Sequence, residues 1–207
     1  MRLKLVALAI TTLAAMPIQA ATQCFAGPGT YGAVTVTTSG SCTITSATAF
    51  PGGMQAIEIW DDAACTYTFS KPLATSSMRI HMADIDAGES TSISTNTGAY
   101  SVIAADVSGP IPGATGGATL SASGGQVVNL SGEGSAIVSM TNSPPASITS
   151  LTLTHQGIGW VGYYAVCADD SAIVAPAAIP TLSEWALIGL SSILAMLGFS
   201  RMRRRQR

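Results

Sequence analysis

From Thr22 to about Ala172 turn-forming clusters interrupt the chain, and no stretch keeps the 3.6-residue apolar period of an amphipathic helix. Short β-branched and aromatic runs recur instead. Tyr31–Thr38, Gln55–Trp60, Cys65–Ser70, Ser77–Ile85 and Ala99–Ala105 read as strands, as do Gln126–Ser131, Ala136–Thr141, Ile148–His155 and Gly159–Cys167. Within Ser77–Ile85, Met78, Ile80 and Met82 alternate with Arg79, His81 and Ala83, a period of two that predicts one buried and one wet face. Clusters at Pro51–Gly53, Ser108–Gly113 and Asn142–Pro145 separate the runs. Many short strands without a repeat period predict an all-β fold, a β-sandwich of jelly-roll type, and argue against a solenoid.

The two ends differ from this body. Arg2 and Lys4 precede the apolar run Leu5–Ala15, and Pro17–Ala20 leads to a cut ahead of Ala21, so residues 1–20 read as a secretory signal peptide. The exported domain then spans 21–172, with a linker at 173–178. Trp185–Phe199 is an apolar run of about 22 Å if helical, against a hydrocarbon core of about 30 Å. Extension upstream, an interfacial Trp185 and the basic stop Arg201, Arg203, Arg204, Arg205 and Arg207 make it a single transmembrane helix over 185–200 with a cytoplasmic tail, 201–207.

Setting the ends aside exposes the charge of the body. It keeps two cations, Lys71 and Arg79, against ten of the eleven acids, or about −8. Such a surface repels nucleic acid, which is excluded as a partner, and attracts cations. All four cysteines, Cys24, Cys42, Cys65 and Cys167, fall in the exported part. An even count in an oxidising compartment predicts two disulfides. Three connectivities are open, and the pairing expected is Cys24–Cys42 with Cys65–Cys167.

No catalytic motif stands out. Gly27, Gly29 and Gly32 match GxGxxG, but they lead into a β-rich run and not a helix, so they read as turn glycines. Neither GxSxG nor HExxH occurs. A secreted hydrolase would need two converging carboxylates from Glu58, Asp61, Asp62, Asp84, Asp86 and Glu89. Trp60, Tyr67, Trp160, Tyr163 and Tyr164 are the aromatics available for a shallow groove. The chain is therefore read as a non-enzyme. Asp84 and Asp86, two apart on an extended segment, with Glu89 brought near by Gly88, form an oxygen-rich loop that suits Ca²⁺. The plainer reading of that loop is a solvated strand end. His81 and His155 read as solvated or packed residues.

A plain membrane anchor needs only apolar length and charge, and does not explain Ile179-Pro180-Thr181-Leu182-Ser183-Glu184-Trp185. This heptapeptide, followed by an apolar helix and an arginine cluster, resembles the IPTL-CTERM sorting domains, tripartite signals found on otherwise unrelated bacterial exported proteins. The resemblance covers residues 179–207. It implies recognition by an exosortase-family membrane transpeptidase that removes the helix and tail, leaving a cell-envelope, surface or extracellular product. Related signals are linked to exopolysaccharide and biofilm. Pro180 biases Ile179 toward the extended shape a protease-like cleft accepts. The function expected is structural or adhesive, in matrix or biofilm. The alternatives are a carbohydrate-binding module, with or without Ca²⁺, and a secreted hydrolase.

Overall fold

The computed structural model describes residues 22–173 apart from residues 26, 46–48, 142–145 and 158–160. The expected signal peptide 1–20, the linker beyond Ile173, the motif 179–185, the expected helix 185–200, the basic tail and Trp160 lie outside the described residues. Among those described, no helix is long and apolar enough to cross a membrane.

Among the described residues the fold is all-β apart from single helical turns. The first strands are β1 (Thr22–Phe25), β2 (Gly29–Tyr31), β3 (Val34–Gly40), β4 (Thr43–Thr45) and β5 (Ala56–Trp60). Then come β6 (Ala63–Ala74), β7 (Met78–Ile85), β8 (Ser90–Thr95), β9 (Gly98–Tyr100), β10 (Val107–Ser108) and β11 (Ala118–Thr119). The last are β12 (Ser121–Ser123), β13 (Gln126–Val128), β14 (Gly134–Ser139), β15 (Ser147–Gln156) and β16 (Val161–Asp169), followed by the helical turn α1 (Asp170–Ile173).

They form two sheets. The first runs β10-β14-β7-β16-β5-β4, with β1 also on β16 and β11 on β14; the second runs β12-β13-β8-β15-β6-β3-β2, with β9 on β8. Pairing is antiparallel except for the short β11–β14 bridge. The chain changes sheet at β1–β2, β3–β4, β5–β6, β6–β7, β7–β8, β9–β10, β11–β12, β13–β14, β14–β15 and β15–β16. The order β5-β16-β7-β14 over β6-β15-β8-β13 is that of a jelly roll, two interlocked Greek keys.

The alternation seen in the sequence explains the layers. Met78, Ile80, Met82 and Val166 of the first sheet share one core with Val36, Tyr67, Leu151 and Leu153 of the second. Each such side chain contributes roughly 1.5–3 kcal/mol on burial. The opposite face of β7 is drier than expected. Ala83 is fully buried, and the His81 ring meets Phe50 at 6.3 Å, because the segment around Ala49–Phe50 and Ile111 covers this side of the sheet. At its far end β7 bulges: the register with β14 puts Ala83 and Asp84 opposite Ser135 alone, and Asp84 adopts φ 58°.

Three expectations need correction. The run Tyr31–Thr38 is a hairpin, β2 turning at Gly32, φ 57°, into β3. The disulfides are Cys24–Cys167 and Cys42–Cys65, not Cys24–Cys42 and Cys65–Cys167. The first strand pairs with the last, placing Cys24 opposite Cys167, while Gly40 pairs with Cys65 and delivers Cys42 beside it. Ile173, read as the first linker residue, is buried in the core, and its carbonyl accepts from Ala33 N–H.

Candidate functional site

A jelly roll gathers alternate sheet-crossing corners at one end, and here that end collects most of the acids. Asp61 and Asp62 form the β5–β6 corner, and Asp62 turns the chain with φ 51°. Asp86 and Glu89 bound the β7–β8 corner, Glu133 precedes β14, and Gly157 opens the β15–β16 corner. Asn129 ties two of these corners together. Its backbone N–H donates to the Glu89 carbonyl, its own carbonyl accepts from Gly88 N–H, and its side-chain amide donates to Ile85 O and Gly132 O. Both cations of the body lie at the other end, Lys71 late in β6 and Arg79 early in β7.

At the centre of this acidic end lies His155. In β15 it pairs with Ala63 of β6 on one side and Thr91 of β8 on the other. Its parity follows Leu151 and Leu153, so the ring points inward and is wholly buried. Nδ1 lies 2.8 Å from the Tyr164 hydroxyl, which is 2.7 Å from Thr91 Oγ1. Nε2 faces Asp61 Oδ1 and Glu89 Oε2, each at 3.6 Å. One ligand-type atom from each of Asp61, Glu89 and His155 lies within 4.8 Å of the others.

Glu89 is 1% exposed. The Asp86 N–H donates to its Oε2 at 2.7 Å, whereas Oε1, like His155 Nε2, has no hydrogen-bond partner among the described residues. Gly157 borders the same space: a Cβ there would sit 2.7 Å from Asp61 Oδ1 and 2.9 Å from Glu89 Oε1. Burial pushes the Glu89 carboxyl above the usual range, aided by Asp86, Asp61 and Asp84 and opposed by the Asp86 N–H. Burial pushes the His155 imidazole below its ordinary value against the pull of Asp61 and Asp62.

The oxygen-rich loop read from the sequence is thus divided. Glu89 joins Asp61 and His155, whereas Asp84, turned by its bulge, hydrogen-bonds with Glu133; neither Asp84 nor Asp86 belongs to the converging trio. Burial first, then Glu133 and Asp86, push the Asp84 carboxyl up to about 6. A raised carboxyl stabilises the fold fully below its unfolded value near 3.8, and that contribution is lost as pH rises through about 6. His81 and His155, both lowered, act in the opposite sense, so the informative quantity is a difference. With chelator present, Asp84→Asn is expected to be more stable than wild type at pH 7.5 by up to about 1 kcal/mol, given solvent screening. The advantage should fade through pH 6 and vanish near pH 4. Asn also tolerates the positive φ. Urea unfolding of both proteins across that range is the check, and a constant difference would refute the assignment.

Among the described residues the aromatics do not assemble a groove. Tyr67 and Tyr164 are core residues, Trp60 is 56% exposed, and Tyr163 lies on the opposite face of the first sheet from Tyr164. A cavity of about 440 Å³ lies on that outer face, lined by Arg79, His81, Met54 and Ile137 among others, apart from the acidic end. Among the candidate carboxylates, Asp61 and Glu89 approach within 4.8 Å.

The family model described as the IPTL-CTERM motif matches residues 177–204, so the chain carries that motif at its C-terminal end. No curated protein and no solved structure matches the chain.

Proposed function

We propose that this protein is an exported β-sandwich delivered to the cell surface through its IPTL-CTERM signal, and that it serves there as a structural or adhesive component of matrix or biofilm. An exosortase-family transpeptidase is the processing partner. The observation that carries the reading is the motif over residues 177–204, joined to a domain closed by two disulfides. Disulfides of this kind persist in oxidising compartments.

The solvent face of the second sheet supports a surface role. Thr152 of β15 pairs with Thr66 of β6 and Ser94 of β8, and the Thr66 and Thr152 hydroxyls meet at 2.8 Å. Thr37 and Thr68 extend the same uncharged hydroxyl surface onto β3. Such a face offers hydrogen bonds to polysaccharide without the desolvation cost of fixed charge. That favours polysaccharide as the partner at this surface.

Intact-mass measurement and C-terminal peptide mapping of protein recovered from its native host test the reading. The expected result is loss of every residue beyond the Ile179–Trp185 region, with the product in the surface or matrix fraction. Retention of Arg201–Arg207 in a membrane fraction would overturn it, and would mean a permanently tethered domain.

A further inference from the structure

Two buried atoms at the acidic end lack what burial ordinarily demands. A buried carboxylate oxygen or imidazole nitrogen without a partner costs roughly 1–3 kcal/mol, more when charged. Glu89 Oε1 and His155 Nε2 are both in that state, in side chains that are 1% and 0% exposed; Nε2 faces the same carboxylate through Oε2, and Oε1 lies beside Gly157. An internal ion pair does not describe the arrangement. The Nε2 distances to Asp61 and Glu89 are 3.6 Å, whereas a charge-assisted hydrogen bond closes to about 2.7–2.9 Å. Ligands held about 2.0–2.2 Å from one ion at tetrahedral angles stand roughly 3.3–3.6 Å apart. The two spacings from the imidazole are those of ligands around a shared ion, the three donors lie within 4.8 Å of one another, and Gly157 adds no Cβ to the space beside the carboxylates.

We propose that Asp61, Glu89 and His155 bind a divalent transition-metal ion, of which Zn²⁺ is the best fit. The donor set decides the class. Ca²⁺ takes six to eight oxygens, and Mg²⁺ keeps oxygen and water, so an imidazole nitrogen at the centre argues against both. One imidazole with two carboxylates suits Zn²⁺, which outranks Mn²⁺ in affinity at a given N/O site. The surroundings are those of a ligating histidine. With Nε2 on the metal, Nδ1 carries the proton and donates it to the Tyr164 hydroxyl, which donates to Thr91 Oγ1. The Asp86 N–H fixes the other carboxylate in the same way. Of the three side chains Asp61 is the most exposed, at 19%, so in this proposal water completes the coordination from its side. Among the described residues the two cations, Lys71 and Arg79, lie at the other end, so the surrounding excess of acids draws the metal ion in.

The test uses untagged full-length protein in detergent, stripped with EDTA and titrated with Zn²⁺ alone by calorimetry. Histidine ¹⁵N NMR of the wild type runs in parallel. The chain has two histidines, so a His81→Gln variant assigns the signals. The expected result is one Zn²⁺ per chain and a shift of the His155 ring nitrogens with His81 unmoved. Binding should weaken about 100-fold or more in Glu89→Gln and His155→Gln, since outer partners alone cost 10–100-fold. Asp84→Asn should stay within about threefold, because Asp84 is no ligand, and Ca²⁺ should not compete. Absence of Zn²⁺ binding, a shift at His81 instead, or undiminished binding in both ligand variants would overturn the proposal. If either variant does not fold, the wild-type NMR decides the question.

Discussion

Replacing Cys24 and Cys167 together with alanine is expected to lower the stability of the exported domain by about 5 kcal/mol. The pair links residues 143 apart, the larger of the two closures, and the chain-entropy model assigns roughly that amount to a loop of this size. Cys42–Cys65 spans 23 residues, and its removal should cost about 3 kcal/mol. The structure adds a local reason for the order. β1 has four residues and pairs with one strand, β16, so the disulfide fastens the start of the domain to its last strand. Without it, Phe25 loses the tether that seats it against Tyr31 and Phe69. Set against typical domain stabilities of about 5–15 kcal/mol, the first loss is severe and the second tolerable. Guanidinium unfolding of the two double variants measures both. Equal losses, or a larger loss for the Cys42/Cys65 pair, would refute the ranking.

That pairing also marks the limit of what a single sequence discloses. Alternation within a strand is local, so runs such as Gln55–Trp60, Ser77–Ile85 and Ile148–His155 declare themselves, and they became β5, β7 and β15 within a residue or two. β8 did not. Its sequence, Ser90–Thr95, is hydroxyl-rich on the outside and has Ile93 as its one large apolar residue, yet it lies between β13 and β15. Ala99–Ala105 contributed only β9, because the chain leaves the sheet and makes a helical turn at Ala104–Asp106. Which strand pairs with which depends on loop closure over the whole chain, and that decided the disulfides.

The site follows the same division. Asp61, Glu89 and His155 each drew notice in the sequence, but separately, because only the corners of the jelly roll bring them together. One signal was present. His155 continues the inward parity of Leu151 and Leu153 in β15, whereas His81 shares the outward parity of Arg79 in β7. An inward histidine at a strand end, next to an acidic turn, is a different object from an outward one. The Asp84–Asp86–Glu89 loop drew attention for its acids. The bulge at Asp84 then separated them, and a bulge of that kind is set by pairing with β14.

Tyr164 joins fold and site, and its two truncations should separate those roles. It projects from the first sheet through the core, where Gly162 leaves the space its ring occupies: a Cβ there would lie 2.7 Å from the hydroxyl. The hydroxyl thereby reaches Thr91 and His155, which face each other on adjacent strands of the second sheet. Tyr164→Ala empties a fully buried ring site and is expected to cost about 3–5 kcal/mol. Tyr164→Phe keeps the ring but strips His155 Nδ1 and Thr91 Oγ1 of their partner, for about 1–3 kcal/mol. Denaturant unfolding of both, in chelator, gives the two numbers. A phenylalanine variant within about 0.5 kcal/mol of wild type would mean that the hydroxyl bridge does not hold the histidine. A loss in the expected range would mean that one side chain spans the sandwich, filling the core from the first sheet and orienting the histidine on the second.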